Sequence, residues 1–144
     1  MTQTMKDITL KARLILYHRG KILLLRQRKA QGGNYTLPGG TVEDSEFARQ
    51  CLIRECKEEA GISLKPENLK LAHVLHKRTR NGGQRVTFYF KANTWKGEPT
   101  SREPAKFKDV QWFDLDKLPT RLTGTVRHVL KHYRKGILYS EFQK

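Results

Sequence analysis

Apolar and polar positions alternate from Ile8 through Leu10, Ala12, Leu14 and Leu16, a period of two that predicts a half-buried strand. The turn at residues 18 to 21 leads into Ile22-Leu23-Leu24-Leu25, a run too uniformly apolar for a sheet edge and bounded tightly enough to be a core strand. A basic loop and the short stretch from Tyr35 to Gly40 follow. Residues 44 to 60 then predict a helix, with Asp44 or Ser45 available as N-cap, acids in the first turn and Gly61 as the stop. Phe47, Ala48, Cys51, Leu52 and Cys56 recur at helical spacing and form its core-facing stripe. Residues 69 to 76 and 85 to 92 read as two strands joined through Asn81-Gly82-Gly83, a strong turn signal. A long polar loop with two Glu-Pro pairs comes next, of a length that more often serves function than connection. A short strand at Val110 to Phe113 and a second helix after Pro119 complete the pattern; Val126, Val129, Leu130 and Tyr133 face inward, and Arg127, Lys131, Arg134 and Lys135 face out. Strands mixed with two helices, without repeats or low-complexity tracts, predict one α/β or α+β domain over residues 1 to 144.

Composition narrows the classes. With 37% hydrophobic and 30% charged residues the chain reads as globular rather than disordered. No apolar run approaches the ~20 residues of a membrane span, and the first ten residues lack the apolar stretch of a secretory signal; a cytoplasmic chain with no membrane partner is expected. Cys51 and Cys56 lie about 140° apart on the helical wheel, so two reduced thiols are expected, without a disulfide or zinc site. Lys and Arg number 29 against 14 Asp and Glu, a formal charge of +15. Such a field draws polyanions, and leaves nucleotide, nucleic acid, acidic membrane and a merely solvated basic surface all open.

Within that basic chain, residues 54 to 61 read Arg-Glu-Cys-Lys-Glu-Glu-Ala-Gly. At about 100° per residue Glu55 and Glu59 lie about 40° apart, with Glu58 about 60° to the other side of Glu55. All three fall on one side of the helix. Like charges at these spacings cost roughly 0.2–0.5 kcal/mol each, so either the face is solvated and salt-bridged by Arg54 and Lys57, or a cation sits against it. Leu37-Pro38-Gly39-Gly40 just upstream favours the cation, because consecutive glycines let a backbone carbonyl approach a ligand. Three carboxylates and one main-chain oxygen suit a hard ion such as Mg²⁺ or Mn²⁺.

From Gly40 to Ile62 the residues resemble the Nudix box, G-x5-E-x7-R-E-U-x-E-E-x-G-U: Gly40, Glu46, Arg54, Glu55, Glu58, Glu59 and Gly61 occupy every fixed position, Ile62 fits the last apolar one, and Cys56 replaces a larger aliphatic residue. The resemblance implies a Nudix-type α/β/α sandwich with a mixed sheet and metal-dependent hydrolysis of a nucleoside diphosphate linked to another group. It implies a metal set of Gly39, Glu55, Glu58, Glu59 and Glu103, with Glu58 or Glu103 as general base and Glu98 as a further loop candidate. Glu46 falls about 180° from Glu55 if the helix includes it, so an ion pair with Arg54 that orients the metal-bearing helix is expected of those two. Arg26, Arg28, Arg78 and Arg85 are the substrate-binding candidates, with Lys77 and Arg80 nearby, since arginine suits bidentate phosphate contact. Phe88, Tyr89, Trp95 and Trp112 are candidate stacking rings that equally suit a core. The stretch after Pro119 lacks the paired aspartates of oxidised-purine sanitising members, which argues against 8-oxo-dGTP. A small nucleotide or polyphosphate substrate is expected, with RNA as a possible partner, and a monomer or homodimer. The alternatives are an RNA 5′-end pyrophosphohydrolase and a non-catalytic nucleic-acid-binding module.

Overall fold

A computed structural model describes residues 7 to 143. The order is β1 (Ile8–His18), β2 (Lys21–Gln27), β3 (Tyr35–Thr36), β4 (Gly39–Thr41), α1 (Ala48–Ala60), β5 (Lys70–Arg78), β6 (Gln84–Ala92), β7 (Phe107–Asp114), α2 (Gly124–Tyr133) and β8 (Tyr139–Gln143). β1 is the spine of a mixed sheet. It runs parallel to β6 from Ile8↔Gln84 to Leu16↔Ala92, and β6 continues antiparallel to β5, which carries β8 in parallel at the edge. β1 meets β2 only at Tyr17↔Ile22 and His18↔Lys21. Beyond that hairpin the two strands diverge, β2 pairing with β3 and β7 while the first half of β1 pairs with β4.

The two helices cover opposite faces, which explains why β1 and β2 are buried on both sides. Ala12, Leu14, Leu16, Leu23 and Leu25 pack with Cys51, Leu52, Cys56 and Ala60 of α1. Ile15, Ile22 and Leu24 pack instead with Val126, Val129 and Leu130 of α2. Helix, sheet and helix thus form the expected α/β/α layers around a mixed sheet. Both cysteines are buried free thiols, and burial pushes both above their usual range.

Several expectations are corrected. β1 is not half-buried along its length: Ile8 and Leu10 are exposed, while Leu14, Ile15 and Leu16 are buried on both faces because only that part of the strand runs between the helices. α1 begins at Ala48 rather than near residue 44, with no acid in its first turn. Asp44 and Ser45 belong to a preceding turn in which Glu46 N–H donates to the Glu43 carbonyl, and Gln50 Oε1 accepts the Phe47 N–H at 2.7 Å to close the helix start. Phe47 is 82% exposed, off the core stripe. β7 is eight residues long, since it follows β2 along nearly its full length. α2 starts only at Gly124, where Thr123 Oγ1 accepts the Val126 N–H; the residues between carry Leu122 into the core beside Tyr35.

Candidate active site

The cleft lies where β1 and β2 part. Its volume is about 510 Å³, and Lys11, Arg13, Gly39, Gly40, Glu55 and Glu59 line it together with Gln27, Thr36, Lys106 and Phe107. β4 forms its floor by pairing Gly39 with Arg13 and Gly40 with Ala12. Gly39 has φ +143°, and a Cβ there would drive into the Ala12 carbonyl. A Cβ on Gly40 would sit 2.5 Å from the Glu55 carboxyl carbon. Side chains at either position would separate the glycine strand from the helix, so the pair of glycines is what lets the carboxylates reach the backbone.

The glutamates take different places. Glu59 is 2% exposed, and its Oε1 accepts the Gly39 N–H at 2.9 Å. Burial pushes its carboxyl up to about 7, with the Gly39 N–H and Arg13 opposing and the carboxylates of Glu55 and Glu103 adding to the rise. Glu55, one turn earlier, faces the same cleft, and Arg54 Nη1 holds its Oε1 at 2.6 Å. Glu58 turns outward: half its side chain is exposed, and its nearest cation is Arg54 Nη1 at 3.4 Å. About 100° separates Glu58 from Glu59 on the helix, enough to put one in solvent and the other in the cleft. Arg54 is a hub rather than a cleft residue. Its Nε and Nη2 hold Glu46 Oε2 and Oε1 at 2.7 and 2.9 Å, a bidentate pair that keeps Glu46 below the usual carboxylate range and raises Arg54 above its own. The expected Glu46–Arg54 pair is present, but Glu46 reaches the arginine from the turn before the helix and not from its far side.

Glu103 is placed by backbone stitching. Thr100 and Arg102 N–H groups donate to the carbonyls of Ala60 and Glu59, so the loop rides on the C-terminus of α1. Glu103 itself opens a turn, its carbonyl accepting the N–H groups of Lys106 and Phe107, with Lys106 Nζ 4.0 Å from its carboxylate. Glu98 is exposed in the same loop. Of the expected metal set, then, Gly39, Glu55 and Glu59 meet at the cleft, Glu103 stands within electrostatic reach of Glu59, and Glu58 diverges. Among the described residues no three His, Cys, Asp or Glu side chains converge as a ready-made metal cage. The donor set at the cleft still fits a hard divalent cation, because Glu55 and Glu59 offer it carboxylate oxygens.

The four arginines do not converge. Arg26 lies over the Tyr35 ring, 5.3 Å from its centroid, and Arg28 Nε donates to the Pro104 carbonyl at 2.7 Å. Arg78 lines a separate groove with His76, Glu141 and Phe142 at the β5–β8 edge. Arg85 sits on β6, on the sheet face that continues from Lys11 and Arg13. Of the rings, Tyr89 is buried and Trp95 and Trp112 pack on each other at 5.5 Å, which makes them packing residues. Lys11 and Arg13 were missed by the sequence reading; two basic residues at alternate positions of an otherwise apolar strand were the available signal.

The NUDIX domain family matches residues 9–133. The chain belongs to the Nudix family. Hydrolases of this family act on pyrophosphate bonds. The chain is 31% identical over 125 residues to an NAD-capped RNA hydrolase NudC of Pseudomonas aeruginosa, covering 83% of this chain and 42% of that protein. It is 30% identical over 116 residues to an ADP-ribose pyrophosphatase of Methanocaldococcus jannaschii, covering 80% and 66%. The chain therefore spans less than two thirds of either relative's length. A MutT Nudix hydrolase from Burkholderia pseudomallei superposes with a TM-score of 0.79 at 31% identity, over 88% of this chain and 98% of that one.

Proposed function

We propose that this Nudix chain, as a single domain, is a pyrophosphohydrolase that cleaves a nucleoside diphosphate linked to another group, with Mg²⁺ or Mn²⁺ held by Glu55, Glu59 and the Gly39 main chain. The observation that carries this reading is the nearly inaccessible Glu59 carboxylate beside Glu55 in a cleft closed by Gly39 and Gly40. A divalent cation bound there supplies charge neutralisation for the phosphates and acidifies water. The chain's own residues do the rest. Water oxygen bonds to phosphorus, the bridging P–O bond breaks with its electron pair leaving on the departing phosphate, and the proton passes to a carboxylate. Glu103 is the better acceptor, since its loop is pinned against Glu59, and Glu58 faces solvent. Arg54, itself anchored by Glu46, holds Glu55 in place rather than touching substrate. Among the described residues no helix is long and apolar enough to cross a membrane, and a cytoplasmic enzyme is the reading adopted.

A second reading has its own support: the charge of +15 and the likeness to NAD-capped RNA hydrolases favour action on a modified or triphosphorylated RNA 5′ end. Incubation of ADP-ribose, dinucleoside polyphosphates, NAD-capped RNA and 5′-triphosphorylated RNA with Mg²⁺ or Mn²⁺, with products identified by mass, separates the two. Turnover of the small nucleotides is expected. Folded protein that turns over none of the panel with either ion overturns both.

A further inference from the structure

One face of the central sheet is unusually cationic. The parallel register of β1 and β6 sets Thr9 beside Arg85, Lys11 beside Thr87 and Arg13 beside Tyr89. The antiparallel register of β6 and β5 sets Lys77 opposite Arg85. Alternation in strands then puts Lys11, Arg13, Lys77 and Arg85 on the same face, in three adjacent strands. Like charges opposed across strands are destabilising, and partial burial removes some of the water that would screen them. Lys77 is 6% exposed; it donates to Thr125 Oγ1 at 2.9 Å and lies over the Phe142 ring. Arg85 Nε is buried and has no hydrogen-bond partner. Burial and the charges of Arg13, Arg85 and Lys77 pull Lys11 down to about 8, and Glu55 opposes this from α1. The acids that act on Lys11 and Arg13, Glu55 and Glu59 respectively, both belong to the cleft, and Glu55 is already held by Arg54. Lys11 and Arg13 line that same cleft, so the cationic face begins where the glutamates end.

We propose that this face binds a second run of phosphates in the substrate, so that the favoured substrates are linear polyphosphates, dinucleoside polyphosphates among them, rather than nucleoside diphosphates linked to an uncharged sugar. The inference rests on the hydrolase reading above and specifies its substrate class. Arg85 and Arg13 supply planar donors matched to phosphate oxygens, and Lys11 supplies a point charge at the cleft wall. A neutral sugar or base laid on the same face would strip water from these cations and return no negative charge.

Binding of inorganic tripolyphosphate, measured by calorimetry in EDTA, tests the face without calling on the cation site. Arg85→Gln and Lys11→Gln are each expected to weaken it at least tenfold, while Lys131→Gln, which removes the same charge from the exposed side of α2, changes it less than twofold. Melting curves confirm that the variants fold. In turnover with Mg²⁺, Arg85→Gln is expected to raise KM for a dinucleoside tetraphosphate tenfold or more with kcat retained, and to move KM for ADP-ribose less than twofold. Equal weakening by Lys131→Gln assigns the binding to the general field and overturns the proposal; so does an ADP-ribose KM that rises as much as the tetraphosphate's. Failure of the hydrolase reading shows elsewhere, as turnover that survives Glu59→Gln, and leaves the tripolyphosphate measurement to decide this face.

Discussion

Replacing Glu59 by glutamine is expected to stabilise the metal-free protein at alkaline pH while destroying its activity. The buried carboxyl holds its proton up to about 7 in the folded chain, against 4.5 for an ordinary glutamate. Between those values the folded chain keeps a proton that the unfolded chain releases, so stability falls as pH rises through the window and stays low above it. At about 1.4 kcal/mol for each tenfold change in proton affinity, the full loss is roughly 3 kcal/mol. Glutamine cannot ionise, yet it can still accept the Gly39 N–H. Any fixed cost of the amide is the same at both ends of the window and cancels in the difference between them. In EDTA, the melting temperature of Glu59→Gln relative to the parent should therefore be about 5–10 °C more favourable at pH 8 than at pH 5, taking roughly 2–4 °C per kcal/mol for a chain of this size. Saturating Mg²⁺ at pH 8 should raise the parent's melting temperature and leave the variant's nearly unmoved. Identical offsets at pH 5 and pH 8 would refute the claim that Glu59 is a desolvated carboxyl waiting for positive charge.

Turnover measurements should rank the other acids. Glu103→Gln is expected to lower kcat by roughly a hundredfold or more and Glu58→Gln by clearly less; the reverse order makes Glu58 the base. Glu46→Gln breaks the bidentate contact to Arg54, so a modestly lower melting temperature with less loss of turnover than Glu59→Gln is expected, and a larger loss of turnover than Glu59→Gln would move Glu46 into the reacting site. Raising salt from about 0.05 to 0.2 M halves the Debye length and should cut kcat/KM several-fold with little change in kcat, as steering of a small polyanion requires. A fall in RNA affinity on the order of a thousandfold over the same range would favour the RNA-end reading instead.

What the sequence revealed of the site was the part whose geometry is local. Glu55 and Glu59 share a cleft because they are one helical turn apart, and that follows from spacing alone. The start of α1 did not follow. Asp44 and Ser45 are sound capping residues, but Gln50 closes the helix start at Phe47, and Glu46 in the turn before it is engaged by Arg54 eight residues on. β8 was missed because Tyr139 to Gln143 is short and partly exposed, and its strand conformation comes from pairing with β5 some sixty residues away.

The cationic face is the extreme case of the same limit. Period two shows that Lys11 and Arg13 point the same way, and the hairpin around Gly82 brings Lys77 opposite Arg85. Nothing local joins the two pairs. They meet only because β1 runs parallel to β6, a contact between segments more than seventy residues apart. Four charges that look dispersed along the chain become neighbours through that single register. A shift of one residue would turn Arg85 toward the α1 side of the sheet and leave Lys11 and Arg13 facing a neutral strand. The cationic face is therefore a property of topology, even though Glu55 and Glu59, the glutamates proposed to hold the cation, are a property of one helix.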